Sequence, residues 1–144
     1  MVASIDITFC EDQDPAVILG VLRKAGWQFG DEGVEYEIYA DVSDVGINQQ
    51  TAALSESAKV VATFGEALRG GKKVSVQLSW PAVVHVYCTF FALNDVRILF
   101  FVGPPLQEGC GRFTDFSKLL SRIVCPLHEA GCTIFTVTCT DHFD

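Results

Sequence analysis

Lys73-Val-Ser-Val-Gln-Leu-Ser-Trp80 alternates polar and apolar residues over a full strand length, with Val74, Val76, Leu78 and Trp80 on one face and Lys73, Ser75, Gln77 and Ser79 on the other. Such a strand buries one face. Pro81 has no N–H to give a ladder, so the chain turns there, and residues 83–92, rich in Val, Tyr and Phe, form the next strand. Asn94-Asp95 turns the chain again into a third strand over 96–102. Connections this short leave the three strands only one arrangement, an antiparallel meander.

Working outward from the meander, residues 4–10 alternate Ile5, Ile7 and Phe9 against Asp6 and Thr8, which predicts a first strand. Asp14-Pro15 then starts a helix, the aspartate as N-cap and the proline at N1, with Val17, Ile18, Val21 and Leu22 as its apolar stripe and Gly26 as its stop. Trp27-Gln-Phe29 and residues 34–40 flank Gly30-Asp-Glu-Gly33 as the arms of a hairpin. Residues 41–50 lack a clear period and read as a loop with at most one helical turn. A second helix begins near Ser55 or Ser57, where Leu54, Ala58, Val61, Phe64 and Leu68 recur at three- and four-residue steps, and ends at Gly70-Gly71. Beyond the meander, residues 103–111 are loop by composition, and Thr114 caps a third helix with Phe116, Leu119, Leu120, Ile123, Val124 and Leu127 along one side. Pro126 is expected to kink or end that helix, and a last strand runs over 132–139.

The expected architecture is α+β, a two-layer sandwich in which a mainly antiparallel sheet of six to seven strands carries three helices on one face. The expected core includes Phe9, Val21, Phe64, Val76, Trp80, Ile98, Phe100, Leu119 and Ile123. With 144 residues, 49% of them hydrophobic and 19% charged, one domain over 1–144 is the natural reading. The N-terminus has no basic region before Asp6, and no run approaches the length of a membrane span, so a soluble cytoplasmic protein is expected. A formal charge of −8 repels phosphate backbones and anionic lipids, which argues against nucleic acid and membrane and for a basic protein as partner.

Catalytic signatures are weak. Cys125 with His128, and His85 with Cys88, stand three residues apart, but in a strand that offset puts His85 and Cys88 on opposite faces. The six cysteines, Cys10, Cys88, Cys110, Cys125, Cys132 and Cys139, show no C-x-x-C spacing and read as free, mostly buried thiols. His142 with Cys139, Asp141 and Asp144 is the densest group of metal-ligand types, on a strand end that fixes no geometry. Neither Gly103-Pro-Pro105, Gly109-Cys-Gly111 nor Gly70-Gly-Lys-Lys73 has the order of a phosphate loop. No enzyme, catalytic residue, cofactor or metal is therefore expected.

Two surfaces remain. Asp31, Glu32, Glu35, Glu37 and Asp41 gather acids along one arm of the expected hairpin, with Tyr39 among them, as a face suited to a cationic partner. In the meander both faces are apolar: Val84, Val86, Cys88 and Phe90 oppose His85, Tyr87, Thr89 and Phe91, and Ile98 and Phe100 oppose Leu99 and Phe101. One set meets the helices. The other is either covered by a loop such as 103–112 or forms a patch for a partner or a second copy, with Tyr87 and Phe91 as anchors.

Gly26-Trp27 at a strand start, the Gly-Asp hairpin, Trp80 closing a Val/Leu strand, the meander, and Thr114-Asp-Phe116 opening a Leu/Ile helix together resemble the small acidic α/β immunity proteins that accompany bacterial polymorphic or secreted toxins. The resemblance is one of element order and hydrophobic pattern over about two-thirds of the chain. It implies a cytosolic protein that binds one cognate toxin or effector and blocks its active site. It assigns no residue. A secretion-effector chaperone and a small-molecule-binding or enzymatic α+β domain are the other readings, the first expected to open on a helix and the second on a deep pocket gathering His85, Tyr87 and a cysteine.

Overall fold

A computed structural model of the chain describes residues 2–29, 35–43, 46–53, 57–70, 74–80, 87–103 and 113–142, with side chains characterised over 3–28, 61–62, 64–66, 68–70, 75–80, 88–103 and 113–142. The elements follow in the order β1 (Val2–Phe9), α1 (Pro15–Ala25), β2 (Gln28–Phe29), β3 (Glu35–Ser43), β4 (Gly46–Ala53), α2 (Ser57–Arg69), β5 (Val74–Ser79), β6 (Tyr87–Asn94), β7 (Arg97–Gly103), α3 (Phe116–Glu129) and β8 (Ile134–His142). The fold is α+β: one antiparallel sheet and three helices.

The meander sits in the middle of the sheet, whose order is β4-β3-β5-β6-β7-β1-β8, with β2 beside β5. Pairing of Val76 with Phe90 and of Phe90 with Phe100 sets the central register, and Phe100 continues to Ile5 of β1 and Ile5 to Cys139 of β8. This row is the core face. Phe90 lies with its ring 5.6 Å from Phe64 of α2 and 5.3 Å from Phe100, and Ile18, Leu19 and Leu22 of α1 and Leu119, Ile123 and Leu127 of α3 join the same buried cluster. Alternate residues of the strands and one stripe of each helix thus supply a single core, as their periods dictate.

Helix ends follow local chemistry. Asp14 accepts from the Ala16 amide at 2.9 Å, Pro15 stands at N1, and Gly26 closes α1 at φ 121°, a conformation that suits glycine. A Cβ at Gly26 would also lie 2.9 Å from the Trp80 ring. Within α1 the buried stripe is Ile18, Leu19 and Leu22; Val21 packs at its margin and Val17 is exposed, so the stripe is turned from the expected one. Trp80, also expected in the core, packs against it only partly buried.

Further expectations need correction. The expected hairpin between β2 and β3 does not form: both strands pair antiparallel with β5, Phe29 with Leu78 and Ile38 with Val76. Leu78 and Val76 are two residues apart while their partners Phe29 and Ile38 are nine apart, so β2 and β3 lie along the same strand as two separate pieces. In the stretch read as a loop, residues 41–43 belong to β3 and 46–50 to β4, paired from Glu35 with Ala53 to Ser43 with Gly46. With β4 added the sheet has eight strands among the described residues, where six to seven were expected. The α3 N-cap is Asp115, while Thr114 is buried and bonded to Asp141 of β8 through its amide at 3.2 Å and through its hydroxyl.

Pro126 does not end α3; the helix runs on to Glu129. A proline at 126 denies the Arg122 carbonyl its helical donor. The Trp27 indole N–H donates to that carbonyl at 2.9 Å instead. Trp27 is fully buried, stacks edge-on against Trp80 with 5.3 Å between ring centroids, and Arg122 in turn lies 5.1 Å above the Trp80 ring.

Candidate partner-binding face

The face of the sheet turned away from the core is built by the same alternation that builds the core. Tyr39 pairs with Ser75, Ser75 with Phe91, Phe91 with Leu99, Leu99 with Asp6 and Asp6 with Thr138, one row of register positions across six strands. The neighbouring row runs Gln77, Thr89, Phe101, Ser4 and Thr140. Phe91 and Phe101 sit diagonally across β6 and β7 and pack edge to face, centroids 5.6 Å apart. Phe101 remains 40% exposed and Leu93, further along β6, 45% exposed, with Phe91 and Leu99 half-buried beside them.

Polar groups frame this apolar centre. Asp6 forms a bidentate ion pair with Arg97, whose Nε donates to its two oxygens at 3.0 and 3.1 Å. The bond to Asp6 holds the Arg97 guanidinium above its ordinary pKa, so the guanidinium stays charged. Ser4 Oγ lies 3.1 Å from His142 Nε2, and exposed Thr136, Thr138 and Thr140 of β8 extend the polar margin. An apolar centre inside a rim of satisfied polar groups is the layout of a protein-binding surface.

No family model, curated protein or solved structure matches the chain. The surface must therefore be read from its own chemistry.

Of the residues expected to meet a partner, Phe91 is on this face. Glu35, Glu37, Tyr39 and Asp41 lie in β3 and Tyr87 in β6, placed by backbone register only, while Asp31 and Glu32 fall outside the described residues. Tyr39 and Phe91 are brought together as the two neighbours of Ser75, and Tyr87 pairs with Gly103 at the end of β7. Sequence reasoning did not name Phe101, Leu99 or Leu93 as contact residues, although the alternation of β7 already placed Leu99 and Phe101 together opposite Ile98 and Phe100. Whether loop 103–112 covers the face concerns residues beyond the described ones, but the exposure of Phe101 and Leu93 leaves the centre accessible.

The other constellations resolve differently. Cys88 is buried in the core, and burial pushes its thiol far above the ordinary cysteine range, so it is no thiolate nucleophile. Cys10, Cys125, Cys132 and Cys139 are free. Asp141 is engaged by Thr114 and His142 by Ser4, which separates the two residues expected nearest each other at the chain end; Asp144 lies outside the described residues. A hollow of about 350 Å³ between α1 and α2 is lined by Ala16, Val17, Gly20, Val21, Lys24 and Val61. Among the described residues no helix is long and apolar enough to cross a membrane.

Proposed function

We propose that the chain is a cytoplasmic immunity protein that binds a cognate bacterial toxin or effector one to one and blocks its active site, using the open sheet face as the contact surface. The observation that carries the reading is the apolar centre of Phe91, Leu99 and Phe101 left accessible on that face. Buried aromatic anchors carry most of the affinity of such contacts, and a rim of polar groups excludes water around them. The formal charge of −8 supports a basic partner, since a cleft that handles nucleic acid or nucleotide is commonly basic and an acidic plug complements it. Asp31, Glu32, Glu35, Glu37 and Asp41 are the steering acids of this reading, with β3 two strands from the Phe91 strand. Tyr39 and Tyr87 join Phe91 as anchors.

The test is to mix the chain with the protein encoded beside its gene and follow association as salt is raised. A tight one-to-one complex whose on-rate falls with salt, and falls further when Glu35 and Glu37 become lysines, is expected. Absence of a complex at micromolar concentration, or turnover of a small molecule by the chain alone, would refute the proposal.

A further inference from the structure

We infer that β8 is a self-pairing edge, through which two copies of the chain join their sheets into one antiparallel sheet about a two-fold axis at Thr138. β8 ends the strand order, pairs with β1 on its inner side, and spans nine residues, longer than the common strand. Edge strands are normally blunted by lysine, proline or brevity, and residues 132–140 contain no charged residue and no proline. The one irregularity is at the strand start: Phe9 pairs with Ile134 and Thr8 with Thr136, so Phe135 is a bulged residue, 70% exposed. Residues 136–142 beyond it keep regular register with β1.

The sequence of that regular part is complementary to itself. Antiparallel pairing centred on Thr138 sets Thr136 against Thr140 and Val137 against Cys139 of the second copy. Threonines then meet threonines on the open face, where all three are exposed, and Val137 and Cys139, only half-buried at the edge of the core, meet each other on the core face. Asp141 would face Phe135 rather than its own copy, so no like charges are opposed. The nearest acid to the axis in the same row, Asp6, is already neutralised by Arg97.

Charge placement favours a second copy over a basic partner as the occupant. The acids of β3 stand near the far edge of the sheet, beside β4, so a cationic protein is drawn to that end. Along residues 132–140, which carry no charge, two chains of −8 meet with less repulsion than at the acidic β3 end. The isologous contact also sets the two open faces side by side as one continuous surface. None of this depends on what the open face binds.

The experiment is sedimentation equilibrium of the full chain at micromolar concentration, with hydrogen exchange of residues 135–140 before and after dilution. A dimer is expected, with the β8 amides protected in the concentrated sample and exchanging faster as it dissociates. Thr138→Lys and Thr138→Glu, each setting like charges opposite one another across the axis, should each give a folded monomer, and an equal mixture of the two should recover the dimer. A wild-type chain that is monomeric overturns the inference, whether its edge stays open or is taken by a strand of another protein. So does a dimer that persists in both variants, or a mixture that stays monomeric.

Discussion

Arg122 and Trp27 are 95 residues apart in sequence, yet one completes the other. The proline at 126 removes a helical donor, and the indole N–H replaces it, so the α3 backbone remains satisfied at a point where local rules predict a break. Trp27→Phe should lower stability by about 1 to 3 kcal/mol through the unpaired buried carbonyl, beyond the loss of ring volume. In a Pro126→Ala background, where the helix supplies its own donor, the same change should cost less. Urea midpoints for the four chains test this, and strictly additive effects would contradict the assignment. Cys88 supplies a second prediction. Its thiol stays protonated in the folded chain while the unfolded chain releases the proton above about pH 8.5, so the unfolded state binds fewer protons there. Stability from this source is whole below that pH and declines as pH rises toward the folded pKa; Cys132 and Cys139, also raised by burial, act in the same direction. Cys88→Ala, although less stable at neutral pH, should show a shallower alkaline decline in denaturant midpoint than the parent chain, and an equal slope would remove Cys88 as a cause.

Among the elements, those with a strong period were legible and those defined by pairing were not. The core faces of β1, β5, β6 and β7, the Asp14-Pro15 start of α1 and the stripe of α3 all follow from spacing in the sequence. Gly46-Ile-Asn-Gln-Gln-Thr-Ala-Ala53 shows no alternation of apolar residues, and only its backbone ladder with β3 makes it a strand. The β2 and β3 stretches flank a glycine turn, a hairpin signal locally, but β5 offers both of them an edge, and that long-range pairing wins. Thr114 has the residue type of an N-cap, but the Asp141 carboxylate from β8 takes its amide and hydroxyl. Asp141→Asn should therefore loosen the start of α3, weakening two bonds to a charged acceptor at a cost of about 1 to 3 kcal/mol, and raise amide exchange near residues 114–118 without altering that of β5. Leu119 and Ile123 are fully buried on α3, and truncating either to alanine should cost about 2 to 5 kcal/mol in a denaturant melt. A neutral result for either would mean that α3 does not pack on this core.

For the whole molecule, the sheet separates two tasks. One face joins three helices in a common core, and the other keeps Phe91, Leu99 and Phe101 accessible inside a polar frame. The composition of the meander already implied two apolar faces. It did not tell which aromatic ring stays exposed, because that depends on neighbours in β1 and β8 brought alongside from the two chain ends. Of the acids read from sequence, Glu35, Glu37 and Asp41 lie in β3, and the exposed aromatic residue that the structure adds to the open face is Phe101. Since Phe101 lies outside the core, replacing it with alanine should leave the melting temperature nearly unchanged, unlike the changes at Leu119 or Trp27. The most direct measurement is accordingly the affinity of the Phe101→Ala chain for the protein encoded beside its gene, by calorimetric titration against the parent chain. A loss of at least about tenfold in affinity, a little over 1 kcal/mol, with the fold intact is the expected result; an unchanged affinity would contradict the open sheet face as the binding surface.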